Sequence, residues 1–250
     1  MQSEQRYISN ELTHFIGAGE KSHDERYRRL CKILKERRLR GERLDWEKVG
    51  DDPHVDFFLD RKLSENEMFN PNMVCFCDIP VQELGIHMRK YGSFGIAFEK
   101  DFIARQGGIP VYYVPKSGLL PPGMELDGEY FDKGITNLLN YLLREMSRKP
   151  PSDKKGQPPK LNELNKHKKL QAKLVDHVSF LIYYFFSYLK VFDHKLSDFD
   201  EKNYYFEREW RVLGACKFQI KDVLRILIPK PFSQRFRKDF PKYYGQLTFV

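Results

Sequence analysis

The sequence MVCFCDIP, residues 73–80, contains five consecutive apolar residues followed by Asp78, Ile79 and Pro80. A nearly continuous apolar run that is closed by an aspartate and a proline is typical of a buried β-strand. We therefore predict a buried strand here, and we build the rest of the fold outward from it.

The segment that follows residues 73–80 alternates between short helical and strand-like patterns. VQELGIHMRKYG predicts a short helix that ends at a glycine. Strands are predicted before and after DFIARQGG, which begins with a candidate Asp N-cap. The corresponding ranges are 81–92 (helix), 94–100 (strand), 101–108 (helix) and 109–115 (strand). This order indicates a mixed α and β domain without dictating a purely parallel sheet.

Strand-like patterns also occur near both ends of the chain. ELTHFIG, residues 11–17, precedes an amphipathic helix over 23–41 whose other faces carry arginine and lysine. Three further strands are predicted over 204–213, 222–230 and 245–250, with a short helix over 232–240. The sequence therefore predicts the α+β class, with a mixed central β-sheet and short helices.

A long helical insertion is predicted between the two groups of strands, over residues 116–200. It contains KPPSDKKGQPPK, residues 149–160, which has four prolines and no apolar residue and is expected to be an exposed loop. The apolar block at 178–192 is shorter than a bilayer span and is predicted to be a buried helix. We treat residues 1–250 as a single α+β domain that carries this insertion.

The composition favours a cytoplasmic protein with anionic partners. Lys and Arg outnumber Asp and Glu by 43 to 35, which gives a net charge of +8. This charge favours phosphate-bearing or acidic partners, including nucleic acid, although the basic face of the helix at 23–41 is equally consistent with a solvated surface. No signal peptide or membrane span is recognisable. The four cysteines form no CxxC pair, so no metal site is expected.

The charges within YYFEREWRVL, residues 204–213, are the main candidates for a functional site. If residues 205–212 form a strand, Glu207, Glu209 and Arg211 lie on one face and the apolar side chains lie on the other. Arg211 would then pair with Glu209 or with Asp78, or one glutamate would stay ionised in a cleft and stabilise a developing positive charge. A helix would instead make Glu207 and Arg211 an ordinary surface pair.

Several motifs together resemble the AbiGi family of abortive phage-infection resistance proteins. They are MVCFCDIP, HMRKYGSFGIAFEKDF, IPVYYV and YFEREWRVL, with YISNELTHFIG and ILIPKPFSQRF towards the ends of the chain. The resemblance implies an intracellular component of an anti-phage, toxin–antitoxin-like system, namely its antitoxin or regulatory member, which acts through a partner or through regulation of its own operon. Its partner would be a cognate toxin or another phage-defence protein.

The order of the predicted elements is also similar to that of ADP-ribosyltransferases, which use nicotinamide adenine dinucleotide (NAD). That resemblance implies that His14 and Tyr91 hold the cofactor, with Arg211 a further candidate, and that Glu209 is the catalytic carboxylate, with Glu207 the outer member of a Glu-x-Glu pair. The central Ser-Thr-Ser motif of that family is absent. The enzyme is therefore one alternative to the antitoxin, and a basic nucleic-acid-binding module is another.

Overall fold

The computed structural model describes residues 9–17, 19–20, 22–41, 50–116, 128–150, 159–197, 200 and 203–250. The chain divides into two compact units. The first unit comprises Met1–His54, Pro71–Tyr113 and Asp193–Val250, and the second comprises Val55–Asn70 and Val114–Phe192. Each unit has its own hydrophobic core.

A seven-stranded sheet forms the centre of the first unit. From one edge to the other its strands are β13 (Gln246–Phe249), β12 (Val223–Ile228), β6 (Gly95–Glu99), β1 (Glu11–Phe15), β5 (Met73–Cys77), β10 (Glu209–Leu213) and β7 (Ile109–Pro110). All neighbouring pairs are antiparallel except β12 and β13, which are parallel. The sheet is therefore mixed, and the predicted α+β class is confirmed.

The apolar strand β5 lies between β1 and β10, as its near-continuous hydrophobic sequence indicates. Thr13 on β1 and Glu209 on β10 both lie opposite Cys77, and Arg211 lies opposite Cys75. Since side chains that face each other across a ladder point to the same side of a sheet, these five residues share one face. The alternate residues of the same strands occupy the other face.

The main core of the first unit lies on that other face, beneath helix α1 (His23–Glu36). Ser22 caps this helix through a capping box with Glu25, and Arg37 ends it in a left-handed conformation. Tyr27, Leu30 and Leu34 are buried at helical spacing. The helix predicted over 23–41 thus stops at residue 36, and a short strand β2 (Arg38–Leu39) follows and pairs with β11 (Cys216–Lys217).

The described part of the first unit also contains three short helices: α2 (Gly85–Tyr91), α3 (Lys100–Arg105) and α6 (Ser233–Asp239). A smaller cluster of side chains, which includes Leu84 and Met88, packs on the face of the sheet that carries Cys77. Gly92 follows α2 with φ of 95°, a value that favours glycine, so the predicted glycine stop is confirmed.

The second unit contains helices α4 (Gly128–Met146) and α5 (Leu161–Phe180) with two small sheets. Strand β3 (Val55–Phe57) pairs with β4 (Phe69–Pro71), and β8 (Tyr112–Pro115) pairs with β9 (Leu189–Phe192). The last two residues of β8 and the first two of β4 belong to this unit. Phe69 and Phe186 stack with ring centroids 4.7 Å apart in its core.

The apolar block at 178–192 is not a single buried helix, and this prediction is wrong. Helix α5 ends at Phe180, a π-helical turn spans Leu181–Phe185, a 3-10 turn spans Phe186–Tyr188, and β9 follows. The wider π-turn places Phe180 and Tyr184 on the surface while Ile182 is buried. Residues 151–158 of the predicted exposed loop lie outside the described residues.

In the part of the chain that the structure describes, no helix has both the length and the apolar character needed to cross a membrane.

Candidate functional site

The strand that carries the candidate glutamates is shorter than the sequence predicts. Residues Tyr204–Glu207 form a 3-10 turn capped by Asn203, and Arg208 has a left-handed backbone with φ of 41° and ψ of 51°. Strand β10 therefore begins at Glu209, and Glu207 does not share its face by strand alternation. The prediction that residues 205–212 form one strand is wrong, because the left-handed residue interrupts the period of two.

Glu209 and Arg211 form a buried ion pair on β10. The Nε atom of Arg211 lies 2.8 Å from Oε1 of Glu209, and Nη2 lies 3.3 Å from Oε2. Both side chains are less than a tenth exposed. Burial opposes the charge of Arg211, but the adjacent carboxylate outweighs it and raises the pKa of Arg211. Of the two pairings that the sequence allowed for Arg211, the structure selects Glu209.

The alternative acid, Asp78, has other cationic partners. Its Oδ2 atom lies 2.8 Å from Nζ of Lys100 and 3.6 Å from Nη2 of Arg208. The backbone N–H of Asp78 also donates to the carbonyl of Arg208 at 3.1 Å. This hydrogen bond helps to hold the left-handed residue that separates Glu207 from β10.

Glu207 lies in a second buried cluster, with two side chains from the end of α2. Lys90 Nζ is 2.7 Å from Oε1 of Glu207, and the Tyr91 hydroxyl donates to the same oxygen. Burial, together with the negative charge of Glu207, raises the pKa of Tyr91, so the phenol remains protonated. Tyr91 and Glu207 thus meet in space although 116 residues separate them.

Tyr113, from a distant part of the chain, contacts the backbone of Glu209. Its hydroxyl accepts a hydrogen bond of 2.7 Å from the backbone N–H of Glu209. Burial is the main reason that the pKa of Tyr113 is raised. The segment IPVYYVP predicted a strand but gave no indication that this tyrosine would support β10.

His14 lies on the opposite face of the sheet from Glu209. Thr13 and Glu209 both lie opposite Cys77 and share one face of the sheet. Since neighbouring residues of a strand point to opposite faces, His14 lies on the other face. The Nδ1 atom of His14 is 2.8 Å from the carbonyl oxygen of Cys75, and its ring is 5.8 Å from that of Phe76 on the main core face. The structure therefore does not bring His14 to the glutamates, and the assignment of catalytic and cofactor-binding roles stays a prediction.

Two residues were missed in the sequence analysis: Lys90 of this cluster and also His87, which lies beside Tyr91. His87 is 5% exposed, and both of its ring nitrogens lack a hydrogen-bond partner within the described chain. Its ring stacks on Phe15 at 6.1 Å and lies 6.4 Å from that of Tyr91. The spacing of His87, Lys90 and Tyr91 along α2, three and four residues apart, is the signal that could have grouped them.

The protonation of His87 should make the stability of the protein pH-dependent. Burial lowers the pKa of His87, although the charge of Glu207 acts in the opposite direction. Below about pH 6.5 the unfolded chain binds a proton at this position that the folded chain does not, so the free energy of unfolding should fall as pH decreases towards the folded pKa. Each unit of pKa depression corresponds to about 1.4 kcal/mol.

Urea unfolding of the parent and of His87→Phe at pH 7.5 and pH 5 measures this effect. Carboxylates that do not interact with His87 are common to both proteins and cancel in the comparison. We expect the phenylalanine variant to gain stability relative to the parent as pH decreases. An unchanged difference between the two pH values would show that His87 does not remain neutral in the folded protein.

The remaining chemistry of the site is limited. Within the described residues, no group of three or more His, Cys, Asp or Glu side chains could hold a metal ion. Cys75 and Cys77 share a face of β5, and burial raises the pKa of Cys77 to about 12. Such a thiol is a poor nucleophile at neutral pH. The arrangement consists of two carboxylates, each held by a cation.

Comparison with known proteins gives one family and one relative. A family model described as "Putative abortive phage resistance protein AbiGi, antitoxin" matches residues 54–244. "Abortive phage resistance protein AbiGi" of Lactococcus lactis subsp. cremoris is 33% identical over 97 residues, which cover 32% of this chain and 38% of that protein. The aligned region thus spans well under half of the relative. No solved structure matches the chain.

Proposed function

Because the chain belongs to the AbiGi family of abortive phage resistance proteins, we propose that it is the antitoxin of a toxin–antitoxin pair and that it acts by binding rather than by catalysis. The observation that carries the proposal is that residues 54–244 match a family model described as an antitoxin. The partner is then a cognate toxin. The match spans sequence from both compact units.

The geometry of the two glutamates supports a binding role. An acid that stabilises a transient positive charge has to reach the substrate. Glu209 instead contacts Arg211 through two hydrogen bonds, and Glu207 accepts from Lys90 and Tyr91. These pairs account for the buried charges as elements of the fold.

Co-expression with the product of the adjacent gene tests the proposal. Production of that product alone should reduce the number of colony-forming cells, and simultaneous production of this protein should restore it. The two proteins should also co-purify if protection requires direct binding. If the adjacent product is harmless alone, or equally harmful in the presence of this protein, the antitoxin proposal fails.

Glutamine variants separate binding from catalysis within the same assay. Both Glu207→Gln and Glu209→Gln remove the carboxylate charge. The first keeps the one oxygen that accepts from Lys90 and Tyr91, whereas the second keeps an acceptor for only one of the two hydrogen bonds from Arg211. Where circular dichroism shows a folded variant, we expect protection equal to that of the parent. Loss of protection in a folded variant would instead indicate that a carboxylate has a catalytic role.

A further inference from the structure

A cavity of about 430 Å³ lies in the first unit between helices α1 and α6, away from the glutamates. Four cationic side chains line it: Arg28, Lys32, Lys35 and Arg235. Two acidic side chains, Glu36 and Asp239, are also present. The volume is within the range of ligand-binding clefts. The charges that line the cavity then determine which class of ligand it can bind.

The acidic side chains of the cavity are already engaged. Asp239 accepts a hydrogen bond of 2.7 Å from the Tyr27 hydroxyl, and Glu36 lies 3.9 Å from Nζ of Lys32. Neither acid is paired with Arg28 or Lys35, and in the described ranges neither of these two cations has a carboxylate partner. Lys32 is paired with Glu36, and Arg235 lies 2.8 Å from Oδ1 of Asp24, so Arg28 and Lys35 supply the positive charge of the cavity that no carboxylate in the described ranges pairs with.

Two cations of the cavity, Arg28 and Lys35, differ from other basic residues of the same region. Arg38 and Arg40, which follow α1, contact Asp51 at 2.9 and 3.0 Å. The same cations, with Lys217, lower the pKa of Asp51 in spite of the opposing effect of burial. The charges of Arg38 and Arg40 are therefore compensated by Asp51, whereas Lys35 in the cavity is exposed and can contact a ligand.

Three of the cavity cations form a row along one face of α1. Arg28, Lys32 and Lys35 are four and three residues apart, which places them on the same side of a helix. Seven residues span about 10 Å at 1.5 Å per residue. Along the axis of a duplex each strand carries one phosphate per 3.4 Å, so a row of about 10 Å that lies parallel to this axis spans about three phosphates. A row of this length fits a chain of phosphates better than a single anion.

We propose that the α1–α6 cavity binds the sugar-phosphate backbone of duplex nucleic acid without sequence specificity. Proteins that bind single strands stack bases on accessible aromatic side chains. Tyr27, the aromatic residue of this cavity, is 1% exposed, and the guanidinium of Arg235 lies over its ring at 4.5 Å. The cavity can contact phosphates but offers no stacking surface, which favours a duplex.

Fluorescence anisotropy with the full chain tests this proposal. The probes are two unrelated fluorescein-labelled DNA duplexes of about 24 base pairs and one labelled single strand, each between about 50 and 200 mM KCl. With three phosphate contacts, affinity for either duplex should fall about 40-fold across this range, since the logarithmic slope is about −0.9 per phosphate. The single strand should bind more weakly at every salt concentration.

Variants locate the binding to the cavity. Lys32→Gln combined with Lys35→Gln should reduce the salt slope by about two and weaken binding to both duplexes equally. Lys168→Gln combined with Lys169→Gln makes the same charge change on the exposed surface of α5 and is the matched control. Thermal unfolding confirms that both variants are folded.

Three results would overturn the proposal. The first is the absence of salt-dependent binding to either duplex. The second is an equal loss of affinity in the α5 control, which would indicate that net charge rather than the cavity is responsible. The third is tighter binding of the single strand. None of these results depends on a toxin, so the antitoxin proposal is tested separately.

Discussion

Replacement of Arg211 by alanine is expected to lower the free energy of unfolding by about 3–5 kcal/mol. The Arg211 side chain is 7% exposed and holds the carboxylate of Glu209, which is 6% exposed. Without the guanidinium, Glu209 must remain charged without this partner or take up a proton, and either state is costly in a buried site. Urea unfolding monitored by tryptophan fluorescence measures the loss, because Trp210 lies between the two residues.

A double substitution shows whether the cost arises from the broken pair. Glu209→Leu combined with Arg211→Met removes both charges and retains apolar volume, so its stability should return to within about 1 kcal/mol of the parent. The two single variants would then be strongly non-additive in a double-mutant cycle. Arg105→Ala, which breaks an exposed pair with Asp101 on α3, is the control and should cost less than about 1 kcal/mol. Simple additivity at residues 209 and 211 would contradict this account of the ion pair.

Replacement of Phe76 by alanine is expected to destabilise the first unit by about 3–5 kcal/mol. Phe76, in β5, is 2% exposed, and its ring meets that of Phe98 nearly edge-on with centroids 6.2 Å apart. Alanine would remove these contacts and leave a cavity within the main core. The free energy of unfolding, measured in urea at neutral pH, gives the effect.

Two further variants define the origin of that loss. Phe76→Leu keeps much of the apolar volume and should cost clearly less than alanine. Tyr112→Ala removes an aromatic side chain that is 45% exposed and should change the stability little. If Phe76→Ala were no more harmful than Tyr112→Ala, the ring of Phe76 would not belong to a packed core.

The sheet was predictable where hydrophobic sequence alone determines the strand. MVCFCDIP forms β5, and the predicted strands at 11–17, 94–100 and 222–230 correspond to β1, β6 and β12. Strands β5, β6 and β12 are largely buried and apolar, so burial and strand propensity agree, whereas β1 (ELTHF) was predicted from its strand-like composition. The prediction failed at Arg208, since a single non-glycine residue in a left-handed conformation leaves no compositional signal.

The arrangement of the candidate site was only partly accessible from the sequence. The pairing of Arg211 with Glu209 was one of two alternatives, because strand alternation places residues two apart on one face. The contact of Glu209 with Tyr113 spans 96 residues and depends on the strand order of the sheet. The ring nitrogens of His87, which have no hydrogen-bond partner among the described residues, likewise follow from tertiary burial, which one sequence without its fold does not define.

The shortness of β7 has a consequence for the solution behaviour of the protein. This edge strand contains two residues, Ile109 and Pro110, and proline has no N–H group to donate. A strand from another molecule would find few backbone donors there, and edges of this kind resist intermolecular sheet extension. Pro110 therefore removes a backbone donor from this edge of the sheet, and a Pro110→Val change is expected to make the β7 edge easier to pair with a strand of another molecule.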